Sequence, residues 1–267
     1  MTASTDLART LLPLVREVAR EAGSLALRHF RSGLTTSAKI WSKAGGSPVT
    51  EADMAVDTFL KLRLNELLPQ AGWLSEETAD DGLRLGHDLV WIVDPIDGTR
   101  AFLTGSHDWS VAIALLAHGE PLIGIVYAPA HETLFEARRG GGALRDGHRI
   151  HVSRADTLPG VSVAGPNPMI DRLEARVGEV KRLPRIPSLA LRIARVAEGA
   201  VDVGLVSANA RDWDIAAADL ILREAGGVLV SPGDEVPAYN RADPVHGELV
   251  AAPQRLRPRL IEAITAP

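Results

Sequence analysis

The chain has 267 residues, a formal net charge of −5 and a pI near 5.9. The absence of cysteine excludes disulfide bonds, thiolate catalysis and cysteine-ligated metals, and the acidic balance without a dense Lys/Arg block argues against a nucleic-acid partner. The first residues lack a basic segment followed by an apolar one, and no apolar run approaches the ~20 residues of a membrane span. We therefore expect a cytoplasmic, soluble protein with no membrane partner and a sizeable core.

The first half of the chain predicts two helices and then a group of strands. Apolar residues recur at helical spacing from Leu7 to Leu25 and again from Glu51 to Leu68. Residues 34–49 between these runs break the period with glycines and a proline. Five short β-branched or aromatic runs follow at close spacing, which favours an antiparallel meander: Trp73–Ser75, Leu89–Val93, Val111–Leu116, Leu122–Tyr127 and Thr133–Ala137.

After His151 the pattern changes to alternating strands and helices. The strand candidates are Val161–Ala164 and Val201–Val206, and the helix candidates are Leu189–Glu198 and Ile215–Glu224. We therefore divide the chain near residue 155. Residues 1–155 are predicted to form a helix pair on an antiparallel sheet, and residues 156–267 a smaller α/β half.

The segment from Trp91 to Thr99, W-I-V-D-P-I-D-G-T, is the most informative part of the sequence. Its apolar run predicts a buried strand that ends at Val93, and the carboxylates of Asp94 and Asp97 follow directly. Like charges this close favour a cation between them, and hard oxygen ligands suit Mg²⁺. The Gly-Thr that follows suits a helix start with free backbone N–H groups for phosphate. An Asp-Gly turn with an N-capping aspartate explains the stretch equally well.

Further acidic residues stand where the chain changes direction. They are Glu76 or Glu77 after a predicted strand, Asp53 at a predicted helix start, and Asp212 and Asp214 before a later helix. Each of them alone is typical of a solvated or N-capping acid. Together they place several carboxylates at the ends of rigid elements, which is what a two-metal phosphoryl-transfer site requires.

These motifs resemble the signatures of the inositol monophosphatase superfamily of lithium-sensitive, Mg²⁺-dependent phosphatases. The two signatures read W-I-V-D-P-I-D-G-T-R-A-F and W-D-I-A-A-A-D-L-I-L-R-E-A-G-G here, and L-S-E-E-T and S-P-V-T-E-A-D also match. The resemblance runs from the first helix to about Gly227. It implies an α+β fold, a layered α/β/α/β/α sandwich of the inositol monophosphatase and fructose-1,6-bisphosphatase type.

The resemblance also implies a set of metal ligands. Glu76, Asp94 and the carbonyl of Ile96 would hold one Mg²⁺, and Asp94, Asp97 and Asp214 would hold a second. Asp94 would bridge the two ions, and a third, weaker ion would lean on Glu76 and water. The physical chemistry agrees, because Mg²⁺ prefers a few carboxylates together with water and phosphate oxygens.

The catalytic residues implied by the resemblance are Asp53, Thr99 and Glu76. Thr99, paired with Asp53, would orient and help to deprotonate a water molecule. The backbone amides of Gly98 and Thr99 would receive the phosphate. The expected reaction is direct attack of water at phosphorus, without a covalent phosphoenzyme.

Residues outside the metal motifs must distinguish the substrates of the superfamily. Its members act on inositol phosphates, 3'-phosphoadenosine 5'-phosphate, fructose 1,6-bisphosphate or histidinol phosphate. Outer residues of this chain are similar to the bacterial bisphosphate nucleotidase branch, namely Lys43, Arg100, Arg192 and the Tyr239-Asn240 pair. The three cations could hold a second phosphate, although ordinary surface cations explain them equally well. Inositol-specific members carry Glu where this chain has Ser207, which favours 3'-phosphoadenosine 5'-phosphate as the substrate.

A second hypothesis is a regulatory binding protein that keeps the fold without turnover. All of the ligand positions named above are intact, and buried carboxylates without a metal are destabilising, so the sequence favours an enzyme. The expected partners are a small phosphorylated metabolite and, as a homodimer, a second copy of the chain.

Overall fold

The computed structural model describes residues 3–42 and 48–265. Within these residues the helices are α1 (Ala3–Leu27), α2 (Glu51–Leu67), α3 (Thr99–Thr104), α4 (Asn167–Val177), α5 (Leu189–Ala197), α6 (Asp212–Glu224) and α7 (Arg257–Thr265). None of these helices is long and apolar enough to cross a bilayer.

Two sheets and one small hairpin contain the strands. The hairpin pairs β1 (Ile40–Ser42) with β2 (Pro48–Thr50). The larger sheet has β3 (Gly72–Ser75), β4 (Leu89–Asp97), β5 (Ser110–Ala117), β6 (Glu120–Ala128), β7 (Thr133–Arg138), β8 (Gly142–Arg145) and β9 (His148–Arg149). The smaller sheet has β10 (Ser162–Ala164), β11 (Lys181–Arg182), β12 (Val203–Val206), β13 (Gly227–Val230) and β14 (Leu249–Pro253).

The larger sheet follows chain order from β3 to β9. Strands β4 to β7 form an antiparallel meander as predicted, and β8 and β9 extend it. Strand β3, predicted as the first strand of the meander, instead pairs with β4 in parallel. The smaller sheet has the order β11-β10-β12-β14-β13, and β14 runs antiparallel to both of its neighbours. Parallel pairing of β3 and β4 brings the residues that follow Ser75 and Val93 to the same edge of the sheet.

Three hydrophobic cores lie among five layers, and the central core covers both sides of α5 and α6. Strand β4 shows why, because Trp91 and Val93 face the core shared with α1 and α2, while Val90 and Ile92 face the core shared with α5 and α6. The third core lies between the smaller sheet and the outer helices α4 and α7. The order of layers is therefore helix, sheet, helix, sheet, helix, and the predicted α/β/α/β/α sandwich is confirmed. The division of the chain near residue 155 stays a prediction.

Two further parts of the fold differ from the sequence prediction. Strand β4 does not end at Val93 but continues through Pro95 to Asp97. The sequence also did not predict α4, α7, β11 and β14, because these elements are short and the two helices are polar on average. The second difference concerns the outer helices and the smaller sheet, whereas the first shapes the site.

Candidate active site

A bulge in β4 brings two carboxylates to one side of the strand. Asp94 pairs with Ala112 and Asp97 pairs with Ser110, so three steps along β4 match two steps along β5. In a regular strand, residues three apart point to opposite faces, and the extra residue removes that opposition. Carboxylate oxygens of Asp94, Asp97 and Asp214 all lie within 4.8 Å of one another.

Asp214 reaches this cluster from the first turn of α6. The backbone N–H of Arg211 donates a hydrogen bond of 2.6 Å to Asp214 Oδ2, which fixes the carboxylate at the start of the helix. Helix α6 packs on the larger sheet between the two sheets. The layered fold therefore unites carboxylates that lie more than a hundred residues apart in the sequence.

The electrostatics of the cluster favour a bound cation. Burial raises the pKa of Asp94 well above its ordinary value, and the nearby carboxylates of Glu76, Asp97 and Asp214 raise it further. Burial also raises the pKa of Asp97 to about 6, and that of Asp214 rises for the same reason and because of Asp97. Three partly or fully buried carboxylates that repel one another fit a hard divalent cation such as Mg²⁺, which would relieve that repulsion.

Asp97 also joins the two sheets by capping a helix distant in sequence. Ser188 Oγ and the backbone N–H groups of Leu189 and Ala190 donate hydrogen bonds to its carboxylate, the last two at 3.1 and 2.7 Å. Asp97 therefore caps α5, and the sequence alternative that it caps the helix directly after it is wrong. The N-cap of α3 is Gly98, whose φ is +89°, and a Cβ there would come 3.1 Å from the carbonyl oxygen of Asp108.

Glu76 lies beside the cluster at the end of β3. Its backbone N–H donates to the carbonyl of Val93 at 3.3 Å, and among the neighbouring charges its carboxylate raises the pKa of Asp94 most. It does not belong to the group of three carboxylates within 4.8 Å. The Ile96 N–H donates to Asp94 Oδ1 at 3.1 Å, and the Ile96 carbonyl faces Thr99.

The predicted pair of Asp53 and Thr99 lies within hydrogen-bond distance. Thr99 Oγ1 is 3.3 Å from Asp53 Oδ1 and 3.2 Å from the Ile96 carbonyl oxygen. The other carboxylate oxygen of Asp53 accepts hydrogen bonds from the N–H and the hydroxyl of Thr50, the N-cap of α2. Burial raises the pKa of Asp53 to about 6 despite these hydrogen bonds, so at neutral pH the group is mostly ionised and able to accept a proton.

The predicted substrate residues lie in different surroundings. Lys43 is outside the described residues, and Arg100 is exposed on α3. Arg192 is buried, and its guanidinium donates to the carbonyls of Ile186 and Leu205 at 2.7 to 3.1 Å. Burial lowers the pKa of Arg192 to about 10, so the side chain remains a cation at neutral pH. Three of its five N–H groups are used within the protein, and Arg192 is thus a fixed cation rather than a free one.

Arg192 and Ser207 line one cavity of about 540 Å³. The other lining residues are Gly165, Pro166, Asn167, Pro168, Arg185, Pro187 and Leu189. The cavity adjoins the carboxylate cluster, because the N–H of Leu189 donates to Asp97. Arg185 was missed by the sequence analysis, since it lies in an irregular Pro-rich loop whose position depends on the packing of α5.

The Tyr239-Asn240 pair lies behind α6 and not in this cavity. The Tyr239 hydroxyl donates to Asp219 Oδ2 at 2.8 Å, and the Asn240 side chain accepts a hydrogen bond from Arg84 at 2.6 Å. This pair, which is similar in sequence to the bisphosphate nucleotidase branch, therefore lies outside the lining of the cavity.

The model of the inositol monophosphatase family matches residues 8–266. The chain belongs to the inositol monophosphatase family. An inositol-1-monophosphatase of Mesorhizobium japonicum is 32% identical over 268 residues, covering 96% of this chain and 97% of that protein. The Nus factor SuhB of Escherichia coli is 30% identical over 266 residues, with coverages of 96% and 94%.

Solved structures of the family show the same fold. The extragenic suppressor protein SuhB of Bartonella henselae superposes with a TM-score of 0.82 at 27% identity, covering 96% of this chain and 99% of that one. The Thermotoga maritima IMPase gives a TM-score of 0.81 at 26% identity, with coverages of 95% and 96%. Relatives of comparable identity thus carry the name of an enzyme and the name of a Nus factor, so similarity supports a phosphatase of this family without naming its substrate.

Proposed function

We propose that the protein is a Mg²⁺-dependent phosphomonoesterase that hydrolyses a small phosphorylated metabolite. The observation that carries this proposal is the cluster of Asp94, Asp97 and Asp214 beside the Asp53–Thr99 pair. A cation site next to a hydroxyl and an ionised base is the arrangement needed to direct water at a phosphate.

The donor set fits Mg²⁺. Asp94, Asp97 and Asp214, together with Glu76 and the Ile96 carbonyl, would hold two ions, with a third, weaker ion near Glu76. Mg²⁺, when bound, lowers the pKa of a coordinated water and polarises the phosphoryl oxygens. The chain contains no cysteine, so its oxygen donors favour Mg²⁺ over softer metals.

The residues of the chain would move one proton during the attack. Thr99 Oγ1 accepts a proton from the attacking water while it passes its own proton to Asp53 Oδ1. Asp53 is suited to this role because its pKa of about 6 lies near neutral pH. The amides of Gly98 and Thr99 would hold the phosphate while the bond from phosphorus to the ester oxygen breaks. The released alkoxide would take up a proton from water, and inorganic phosphate would leave without a covalent phosphoenzyme.

The finer proposal is that the substrate carries a second phosphate, as in the hydrolysis of 3'-phosphoadenosine 5'-phosphate to AMP and phosphate. The cavity next to the cluster contains the cations Arg185 and Arg192 and no acidic residue among its lining. The two guanidinium groups are close enough that Arg185 contributes to lowering the pKa of Arg192, and an anion between them would relieve this repulsion. Ser207 stands in the same lining where an acid would repel such an anion.

A phosphate-release assay tests both levels of the proposal. We expect kcat/KM for 3'-phosphoadenosine 5'-phosphate to exceed that for inositol 1-phosphate. Arg185→Ala should lower kcat/KM about ten- to a hundredfold for the bisphosphate and leave inositol 1-phosphate within about twofold, because a lost charge-assisted contact costs ~1.5 to 3 kcal/mol. Arg259→Ala, which removes an exposed cation outside this cavity, is the matched control. A higher kcat/KM for inositol 1-phosphate, histidinol phosphate or fructose 1,6-bisphosphate would overturn the proposed substrate. The proposed metal-dependent reaction would still stand.

The second candidate function is that of a regulatory binding protein. The observation in its favour is the 30% identity to a Nus factor. Thermal stabilisation by Mg²⁺ and phosphate without any phosphate release from the panel of substrates would support this function. The expectations of a homodimer, of a cytoplasmic location and of no nucleic-acid partner stay predictions.

A further inference from the structure

A buried arginine connects the two sheets away from the carboxylate cluster. Arg84 lies in a 3₁₀ turn between β3 and β4, and its side chain has no exposed surface. Its Nε and Nη2 donate to the Asp80 carboxylate at 2.8 to 3.2 Å. Its Nη1 donates to Asn240 Oδ1 at 2.6 Å, and Nη2 also donates to the Arg241 carbonyl at 2.8 Å. Arg84 thus links the edge of the larger sheet to the loop before β14.

The turn that carries Arg84 is held against β3. A Cβ on Gly72, the first residue of β3, would come 3.0 Å from Arg84 Cα, so the two backbones are in close contact. Strand β3 ends at Ser75, immediately before Glu76. The Arg84 guanidinium is therefore fixed relative to the strand edge that carries Glu76 and, through the parallel pairing, Asp94.

Asn240 continues the connection to the start of α6. Its φ is +56°, a left-handed conformation that asparagine tolerates better than most residues. In this conformation its side-chain oxygen accepts from Arg84, while its backbone N–H donates to Asp212 Oδ2 at 2.8 Å. The other oxygen of Asp212 lies 2.7 Å from His246 Nε2, and the Asp212 N–H donates to the Pro244 carbonyl at 3.0 Å.

We propose that Arg84, Asn240 and Asp212 are positioning residues for the metal site. Asp212 begins α6, and Asp214 follows two residues later, so the hydrogen bonds of Asp212 set where the Asp214 carboxylate meets Asp94 and Asp97. These hydrogen bonds fix the start of α6 relative to the shared edge of β3 and β4, and the carboxylate cluster lies between the two. This inference rests on the proposed metal-dependent function, since it concerns the geometry that a metal requires.

The charge of Arg84 supports a positioning role. Packing alone is served as well by an apolar residue of similar volume, because removing a guanidinium from water is costly. Arg84 instead offers a planar set of donors, which fix both the distance and the angle of the loop at Asn240 and Arg241. We therefore expect loss of Arg84 to raise the Mg²⁺ dissociation constant while the fold is retained.

The test compares two substitutions at one position. Asn240→Gly keeps the left-handed backbone and the N–H to Asp212 but removes the acceptor for Arg84, whereas Asn240→Asp keeps an acceptor. Mg²⁺ binding is titrated by calorimetry, well below the melting temperature of each variant. We expect the Mg²⁺ dissociation constant to rise about tenfold for Asn240→Gly and to stay within about twofold for Asn240→Asp. For Asn240→Gly, kcat at saturating Mg²⁺ should stay within about twofold.

Two further variants separate positioning from stability. Arg84→Met removes the guanidinium at similar volume and should weaken Mg²⁺ binding in the same direction as Asn240→Gly. His118→Gly, like Asn240→Gly, places glycine at a residue of positive φ. Because His118 lies on an exposed turn, this variant should leave Mg²⁺ binding unchanged. Lower melting temperatures with unchanged Mg²⁺ binding in Asn240→Gly and Arg84→Met would overturn the inference. If the unmodified protein binds Mg²⁺ but releases no phosphate from any substrate, the proposed function is overturned and this inference still stands.

Discussion

The two sides of the candidate site are built in opposite ways. On the metal side, Asp94 and Asp97 lie on a buried strand, and backbone N–H groups of α5 and α6 hold the carboxylates of Asp97 and Asp214. On the other side, Ser207 and the two residues after it are exposed. A buried strand tolerates little movement, whereas an exposed segment can change without unfolding the protein. We therefore expect the buried metal side to determine the reaction and the exposed side to determine which substrate binds.

The largest effect should come from removing charge at the centre of the metal side. Asp94→Asn is expected to lower phosphate release more than a hundredfold at saturating Mg²⁺, because Asp94 would contact both ions. The same change should raise the melting temperature of the metal-free protein, since it removes mutual repulsion among buried carboxylates. Asp88→Asn, at an exposed position just before the same strand, is the control. Retention of more than a tenth of wild-type turnover would falsify the role of Asp94.

A smaller loss is expected from the proton-transfer pair. Thr99→Ala removes the hydroxyl between water and Asp53, and general base catalysis of this kind typically contributes ~10²- to 10⁴-fold. Because Thr99 contributes no carboxylate, Mg²⁺ affinity should stay within about threefold. Kinetics at saturating Mg²⁺ and a Mg²⁺ titration measure the two quantities separately. Equal losses of turnover and of Mg²⁺ affinity would assign Thr99 to the metal site instead.

A substitution on the exposed side should change which substrate is preferred rather than abolish activity. Ser207→Glu places an acid in the cavity that contains Arg185 and Arg192, and it should lower kcat/KM for the bisphosphate about tenfold through charge repulsion. Activity on inositol 1-phosphate should be retained or raised. The matched variant Ser207→Gln controls for size. Loss of both activities would show that this segment supports the metal side after all.

The smallest effect concerns the stability of the metal-free protein. Burial raises the pKa of Asp53 and of Asp97 from 3.8 to about 6, so folding takes up protons between these values. Stability should therefore fall as the pH rises from about 4 through about 6, and the raised pKa values of Asp94 and Asp214 should extend this fall to higher pH. In EDTA we expect the melting temperature to drop by at least about 3 °C over this range.

Two controls link this pH dependence to the carboxylates. Addition of Mg²⁺ at pH 7 should restore the lost stability, because the ion replaces the protons in neutralising the cluster. Asp53→Asn should make the profile less steep. A profile that is unaffected by Mg²⁺ and by Asp53→Asn would assign the pH dependence to other groups.

The sequence predicted much of the fold for identifiable reasons, and three carboxylates that it named for the metal site lie within 4.8 Å of one another. The helices α1 and α2 and the meander have clear periods of 3.6 and 2.0 residues, and they were located to within a few residues. The outer helices α4 and α7 were missed, because they are shorter and more polar on average than α1 and α2. The cavity with Arg185 could not be found, since an irregular loop has no pattern that gives its direction.

The sequence by itself determined which residue types form the candidate site and to which family the chain belongs. The order of the motifs around Asp94 and Asp214 was enough for the family that the comparison confirmed. Only the tertiary structure decided how these residues meet. The bulge after Asp94, the capping of α5 by Asp97 and the anchoring of Arg192 all depend on contacts between distant segments. Local sequence encodes the dihedral preferences of each element, whereas such contacts form only when separate layers pack against one another.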